Sequence, residues 1–381
     1  MTSPPLPPSR ITFLSWRDTG HPDGGGSELY VEEVARGLAA QGHDVTILCA
    51  SYPGAARESH RDRVRILRRG GRLTVYLHGL LHVAARRSRR DLVVDVINGI
   101  PFGSPLVRRR GVVALVHHVH REQWRIIYPG LWGRVGWFVE SRLTPLMYRS
   151  VPHVTVSRAS RDDLVALGIA ADRIAVVPNG TPVPAPEATA PAQGGGPEFA
   201  PRLCVLSRLV PHKQIEHAVD VLAELLPGCP GLHLDVIGEG WWHAHVVEHV
   251  AGRGVGHAVT MHGHVDEATK SALLERAHLM LLPSVKEGWG ISVLEAASHG
   301  TPTVAYRHAG GVRESIEDGV SGILVDDVEG MRDATRALLS DSERRERLAV
   351  AGRTRAAGYT WASTVDGFAG VLAGAAVTGR R

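Results

Sequence analysis

Apolar residues in this chain gather in short runs bounded by glycine, proline and polar residues, and the stretches between those runs repeat at helical spacing. The run "RITFLSW" (10–16) predicts a short buried strand, followed by the glycine loop "GHPDGGGSE". A helix over "SELYVEEVARGLAAQG" is then expected to run until Gly42 stops it, with "HDVTILCA" (43–50) as the next strand. Strand, glycine loop, helix and strand in this order open a parallel doubly wound sheet. Further strands are expected at "DLVVDVING" (91–99), "GVVALVHH" (111–118), "HVTVS" (153–157) and "RIAVVPNG" (173–180).

Residues 181–200, "TPVPAPEATAPAQGGGPEFA", carry no periodic apolar pattern and many Pro, Ala and Gly residues, which predicts a linker between domains. A second α/β set then restarts with "RLCVLSRL" (202–209), "LHLDVIGEG" (232–240) and "AVTMHGHV" (258–265). It continues through "HLMLLPS" (278–284), "TPTVAYR" (301–307) and "SGILVDD" (321–327), and the last stretch predicts a terminal helix. Two α/β halves of similar size put a cleft between the carboxyl ends of two sheets, where the ligands of such sheets bind. Chemistry is therefore sought in the loops that follow strands.

Composition narrows the function classes. With 381 residues, 44 % hydrophobic and 22 % charged, the chain is long enough for two cores of ordinary globular make-up. Cys49, Cys204 and Cys229 are far apart and form no C-x-x-C pair, as expected of thiols in a reducing compartment. The 21 histidines, such as His243, His245, His249 and His257, are scattered without metal-ligand spacing. The opening "MTSPPLPPSR" has no apolar core of a signal peptide, and no apolar run approaches a bilayer span, so a cytoplasmic protein is expected.

Charge is uneven despite a net value of +4: residues 61–90 hold ten arginines and one acid. Leu73, Leu77, Leu80, Leu81 and Ala84 recur there at helical spacing beside Arg86, Arg87, Arg89 and Arg90. Such a stretch is either a solvated face or a patch for an anionic membrane surface or acceptor, at the inner face of the plasma membrane. Nucleic acid is disfavoured, since the aromatic residues of that stretch make no interleaved platform to stack on bases.

The segment "KEGWGISVLE" (286–295) is the most informative. Gly288 and Gly290 let the backbone turn sharply before a helix expected from Gly290 to Gly300. The N–H groups of Gly290 and Ile291 would then cradle a phosphate, with the helix dipole behind them. Glu287 and Glu295 repel phosphate but suit hydroxyl groups on either side of it. A nucleoside diphosphate sugar offers both, with ribose at one end and sugar at the other. Taken by itself, the segment could also be a helix-capping loop with two solvent acids. Arg208 and Lys213, in the loop "LSRLVPHK" after the first strand of the second half, add two cations suited to a diphosphate leaving group.

These motifs resemble those of the retaining GT-B glycosyltransferases of glycosyltransferase family 4. The family's E-x7-E pair stands as Glu287 and Glu295, and its Arg-Lys pair as Arg208 and Lys213, with Ser207 where glycine is most frequent. Its glycine loop stands as "GGGSE", Gly24 to Glu28; "GGVRESIEDGVSGILV" (310–325) and the hinge "VPNG" (177–180) also match. The resemblance implies an α/β fold of two Rossmann-like parallel-sheet domains facing across a deep cleft. The acceptor domain would be 1–180, joined by the terminal helix 361–381, and the donor domain 201–360. It implies that Glu295 holds the ribose and Glu287 the transferred sugar, while Arg208 and Lys213 bind the diphosphate. Gly288, Trp289, Gly290 and Ile291 would line the donor, and Gly25 and Gly26 would let the first domain close over it. The family histidine near the anomeric carbon best matches His117, first off its strand in "VVALVHHVHREQW"; His118 stands where aspartate commonly follows.

The acceptor, a hydroxyl on a glycan, a lipid-linked or a small molecule, is expected in the first domain. There the stretch 121–148 concentrates Trp124, Trp132, Trp137, Tyr128 and Tyr148, either as sugar-stacking residues or as the packing of two helices. His118 and Trp124 are the acceptor candidates. No acid stands out as the nucleophile of a double displacement. The resemblance implies instead attack by the acceptor from the face of the departing diphosphate, with no metal and no cofactor besides the UDP-, GDP- or ADP-sugar. A nucleotide-sugar epimerase lacks this residue set, and an inactive sugar-nucleotide-binding subunit is the reading from another class. A dehydrogenase is disfavoured, since "GGGSE" lacks the spacing G-x-G-x-x-G.

Overall fold

The computed structural model describes residues 6–86, 88, 90–181 and 200–377. The expected linker, except for its two end residues, lies outside the described residues. The chain forms two compact units, Met1–Gly180 with Trp361–Arg381, and Thr181–Thr360.

The first unit begins with β1 (Arg10–Leu14), α1 (Gly26–Ala40) and β2 (Asp44–Cys49). It goes on through β3 (Glu58–Arg61), β4 (Val64–Arg68), α2 (Val75–Ala85), β5 (Asp91–Val96), α3 (Ser104–Val107) and β6 (Val112–Val116). Three helical pieces follow: α4 (Arg121–Ile127), α5 (Leu131–Phe138) and α6 (Thr144–Tyr148), the last two joined by a π-helical turn, Val139–Leu143. β7 (His153–Thr155), α7 (Arg158–Ala166) and β8 (Ile174–Val176) complete the sheet, in the order β3-β4-β2-β1-β5-β6-β7-β8.

Every pair in that sheet is parallel except β3 with β4. The central strands carry Ile11, Phe13, Val94 and Leu115 with no exposed surface, as strands covered on both faces require. The antiparallel edge departs from the sequence expectation, which placed no strand between 50 and 91. The reason is visible: β3 reads "ESHR" and β4 "VRILR", so arginines interrupt the apolar run. Those arginines are paired within the unit. Arg68 is buried against Asp18, Arg65 meets Glu58 at 2.7 Å, and Arg61 meets Glu32 at 2.5 Å.

The second unit comprises β9 (Arg202–Leu206), α8 (Ile215–Leu225), β10 (His233–Ile237), α9 (His243–Gly252) and β11 (Val259–Gly263). Next come α10 (Glu267–Arg276), β12 (Leu279–Leu282), α11 (Ile291–Ser298), β13 (Thr303–Tyr306), α12 (Val312–Ser315) and β14 (Gly322–Val325). α13 (Val328–Ser340) and α14 (Ser342–Ala357) close it. Its six strands run in the order β11-β10-β9-β12-β13-β14, all parallel. The order turns back beside β9, so the loops after β9 and β12 leave the carboxyl edge side by side, where such sheets bind ligands.

The terminal helix α15 (Trp361–Val377) packs on the first unit. Phe368 lies 5.9 Å from Phe13 and 6.3 Å from Tyr30, centroid to centroid. Among the described residues no helix is long and apolar enough to cross a membrane.

Candidate active site

In the second unit, the chain leaves β12 and turns into α11 through Gly290, whose φ of +91° is the left-handed conformation that glycine adopts without a Cβ penalty. Being first in the helix, Ile291 and Ser292 have no carbonyl within it to receive their N–H groups, which leaves those donors for a ligand. The loop before them is pinned from the side. Glu287 donates its N–H to the Ala309 carbonyl at 2.8 Å, and Gly311 donates back to the Glu287 carbonyl at 3.1 Å. A Cβ on Gly311 would stand 2.0 Å from the Gly288 carbonyl oxygen. The glycine pair at 310–311 is thus a close-approach surface for the loop that carries Glu287.

The loop after β9 is tied to the same place, since Val285 donates its N–H to the His212 carbonyl at 2.9 Å. That contact brings Lys213, at the end of a short 3-10 turn, to Glu287, and their side chains meet at 2.5 Å. Arg208 lies in the same loop, half-buried, where Gly238 passes so closely that a Cβ would meet the Ser207 carbonyl at 2.0 Å. Glu295, one turn into α11 and 8 % exposed, ion-pairs at 2.7 Å with Lys270 of α10. Burial pushes the Lys270 ammonium down, but the carboxylates of Glu295 and Glu267 outweigh it and hold the group above the ordinary lysine value. Each acid of the E-x7-E pair therefore has its own lysine.

Lys270 was not singled out from the sequence. Its one local signal is an i,i+3 neighbour, Glu267, at 2.9 Å, a pairing that decorates helices generally. Trp289 is placed differently from a ligand-lining side chain. It is 3 % exposed and meets the Tyr359 ring edge-on at 5.0 Å, within the second unit. Its backbone alone belongs to the loop.

In the first unit, His117 directly follows β6 and is 5 % exposed. Burial lowers its pKa to about 4, so the ring is neutral near pH 7. Its Nε2 has no hydrogen-bond partner among the described residues, and Tyr30 packs edge-on at 5.2 Å. His118 shares a hydrogen bond with Gln123 at 3.1 Å, and its ring lies tilted against that of His120. Trp124 donates its indole N–H to the buried Glu140 carboxylate at 2.6 Å, and the same carboxylate holds His120 at 3.0 Å. The Trp124 ring also fills the space over Gly99 and Gly136, which makes it a packed residue of the α4–α5 pair.

The glycine loop has a fixed shape as well. Gly25 caps α1 and donates its N–H to Glu28 at 2.8 Å, while Arg17 pairs with Glu28 at 2.8 Å. Glu28 is 1 % exposed. The acid of "GGGSE" thus holds the loop in place, and Gly25 and Gly26 present backbone at the head of a 15-residue helix. Among the described residues no group of three His, Cys, Asp or Glu side chains is arranged to hold a metal ion.

Two Rossmann-like α/β units, each with its glycine loop at a helix head, define the GT-B class of glycosyltransferases. The family model described as "Glycosyl transferases group 1" matches residues 188–355, and "Glycosyltransferase Family 4" matches residues 24–183. A D-inositol 3-phosphate glycosyltransferase of Xylanimonas cellulosilytica is 30 % identical over 90 % of this chain and 90 % of its own. One of Nocardia farcinica is 27 % identical over 94 % and 88 %. A glycogen synthase of Mycobacterium tuberculosis is 27 % identical over 91 % and 90 %. Sucrose-phosphate synthase from Thermosynechococcus elongatus superposes with a TM-score of 0.78 at 19 % identity, covering 94 % of this chain and 96 % of that one. The Anabaena protein HepE, solved with UDP-glucose, superposes with a TM-score of 0.73 at 17 % identity over 94 % and 98 %. The chain belongs to glycosyltransferase family 4 and is a glycosyltransferase.

Proposed function

We propose that this protein is a retaining, metal-independent glycosyltransferase that moves a hexosyl group from a nucleoside diphosphate sugar to a hydroxyl of a glycan, a lipid-linked or a small-molecule acceptor. The observation that carries the reading is the pairing of Glu287 with Lys213 and of Glu295 with Lys270 on either side of the α11 N-terminus. Carboxylates for hydroxyl groups flank N–H donors for phosphate, which is the order of groups along a nucleotide sugar.

In this reading Glu295 holds the ribose hydroxyls and Glu287 the hydroxyls of the transferred sugar. Arg208, Lys213 and the N–H groups at Gly290 and Ile291 take the diphosphate, with Gly288 and the Trp289 backbone shaping the loop. The bond from the anomeric carbon to the diphosphate oxygen breaks as the acceptor oxygen bonds to that carbon from the same face. The acceptor proton passes to the departing phosphate oxygen. Negative charge grows on the diphosphate along this path, so cations there stabilise the transition state more than the bound donor.

His117, neutral near pH 7, is the first-unit residue for the sugar near its anomeric carbon. Gly25 and Gly26 supply backbone on the donor side, and His118 and Trp124 belong to the acceptor wall, Trp124 by shaping it. HepE with UDP-glucose makes UDP-sugars the first donors to try, and the inositol phosphate and glycogen enzymes make polyols and glucans the first acceptors.

The test is a thermal-shift titration with UDP, GDP, ADP and their sugar conjugates, on the wild type and on Glu295→Ala. Stabilisation by one nucleotide that the variant loses supports the donor assignment. Lack of stabilisation by any of them overturns it.

A further inference from the structure

The first unit exposes its large apolar side chains in groups rather than singly. Val75, Gly79 and Val83 of α2 are buried, whereas Leu73, Leu77 and Leu81 stand 58 to 77 % exposed. Leu77 and Leu81 stand one turn apart on the outer side of the helix, and Leu73 lies in the turn just before it. This apolar row does not stop at α2. Gly103, at the head of α3, has Leu80, Leu106 and Met147 around it, within 4.0 Å of where its Cβ would be. α3 therefore bridges α2 to α6, and Leu106 on it is 70 % exposed.

Beyond this bridge, α6, the π-helical turn and α5 follow one another without a break from Leu131 to Tyr148. Gly133, Gly136, Glu140, Thr144 and Tyr148 are the buried side of this rod. Its outer side carries Leu131, Trp132, Phe138 and Leu146, each at least 55 % exposed. α3 joins the two apolar rows, since it touches both α2 and α6.

Charge then selects what covers it. Arg134, Arg142 and Arg149 are exposed along the rod, and its sole acid, Glu140, is buried with its carboxylate given to Trp124 and His120. Residues 63–90, which contain α2, hold no acid at all. A protein interface combines an apolar centre with a polar rim of both signs. This face has leucines, an exposed tryptophan and positive charge only, which is the composition of surfaces that insert into the boundary of an anionic bilayer.

We propose that this face of the first unit, α2, α3 and the rod 131–148, seats on an anionic lipid bilayer. The apolar rows enter the headgroup boundary and the arginines meet lipid phosphates. The arginines of β3 and β4 take no part, being paired within the unit. The proposal stands apart from the donor chemistry above, because none of its residues serves the donor.

The full chain is to be sedimented with vesicles of phosphatidylcholine alone and with vesicles containing about one quarter phosphatidylglycerol. Binding is expected to the anionic vesicles and to fall as salt is raised. Leu131→Ser with Trp132→Ser and Leu146→Ser should weaken it on the order of tenfold or more, without moving the melting temperature much, since these side chains are exposed. Arg134→Gln with Arg142→Gln and Arg149→Gln should reduce binding to the level of phosphatidylcholine, and this variant decides the matter if the first fails to fold. Failure to bind anionic vesicles at low salt overturns the proposal, as does binding that neither variant reduces. A dimer that the leucine and tryptophan changes dissolve, with no vesicle binding, overturns it in favour of self-association.

Discussion

Lys270 on α10 closes on Glu295 of α11 at 2.7 Å, and Lys213 closes on Glu287 at 2.5 Å, so both acids of the E-x7-E pair are held by lysines from other elements. The two pairs are mostly shielded from water, with side chains 11 to 16 % exposed. A carboxylate in that setting takes its direction from its cation and is left without a partner when the cation is lost. Loss of Lys270 is therefore a test of how Glu295, the acid proposed to hold the ribose, is positioned. Lys270→Met should lower stability by about 1–3 kcal/mol, because Glu295 is left buried without its partner. It should also raise KM for the donor while leaving kcat nearly unchanged, read from initial rates at fixed acceptor.

Lys213 should behave in the opposite way. Its ammonium is proposed to neutralise charge that develops on the leaving diphosphate. Lys213→Ala should lower kcat by about 10²–10³, the range for a lost electrostatic stabiliser. Single-turnover rates with saturating donor would separate this from weaker binding; an unchanged rate would remove Lys213 from the reaction.

The legible parts of this chain were those where local pattern and tertiary role coincide. Strands β6 and β12 are unbroken apolar runs, and β5 is apolar apart from the buried Asp91 and Asp95, because parallel strands are covered on both faces. The α11 loop was legible because Gly288 and Gly290 mark a sharp turn before an apolar helix. β3 and β4 were hidden because Arg65 and Arg68 face partners, Glu58 and Asp18, that only the folded sheet brings near. Lys270 and Arg17 were hidden for the same reason, since their carboxylates lie 25 and 11 positions away. Trp289 shows a further limit: a residue within a ligand loop can turn its ring inward, and spacing in a loop does not tell which way it turns.

Gly311 offers a test of the loop's architecture. Gly311→Ala would place a methyl group 2.0 Å from the Gly288 carbonyl oxygen, backbone that cannot step aside as a side chain can. The bridge between Glu287 and Gly310 should open. A loss of about 1–3 kcal/mol is expected, as for overpacked sites, together with loss of nucleotide-induced stabilisation. Gly319→Ala, in a turn with φ of +75° and open space around it, should cost stability alone and keep the nucleotide response.

Acid should weaken the first unit through its buried histidines. Burial lowers the pKa of His117 and of His153 to about 4, against an ordinary value of 6.5. Between these values the unfolded chain takes up protons that the folded chain refuses, so stability rises with pH across this window and falls as pH drops from 6.5 toward 4. Each group can withdraw up to about 3 kcal/mol over that interval. His153, 2 % exposed and bonded to the Val151 carbonyl at 2.8 Å, is the cleaner probe because it is not assigned to sugar or acceptor. His153→Asn should lower stability at pH 7.5 but flatten its decline between pH 6.5 and 4, measured as unfolding free energy against pH. An equally steep decline in the variant would mean that other groups carry the acid sensitivity.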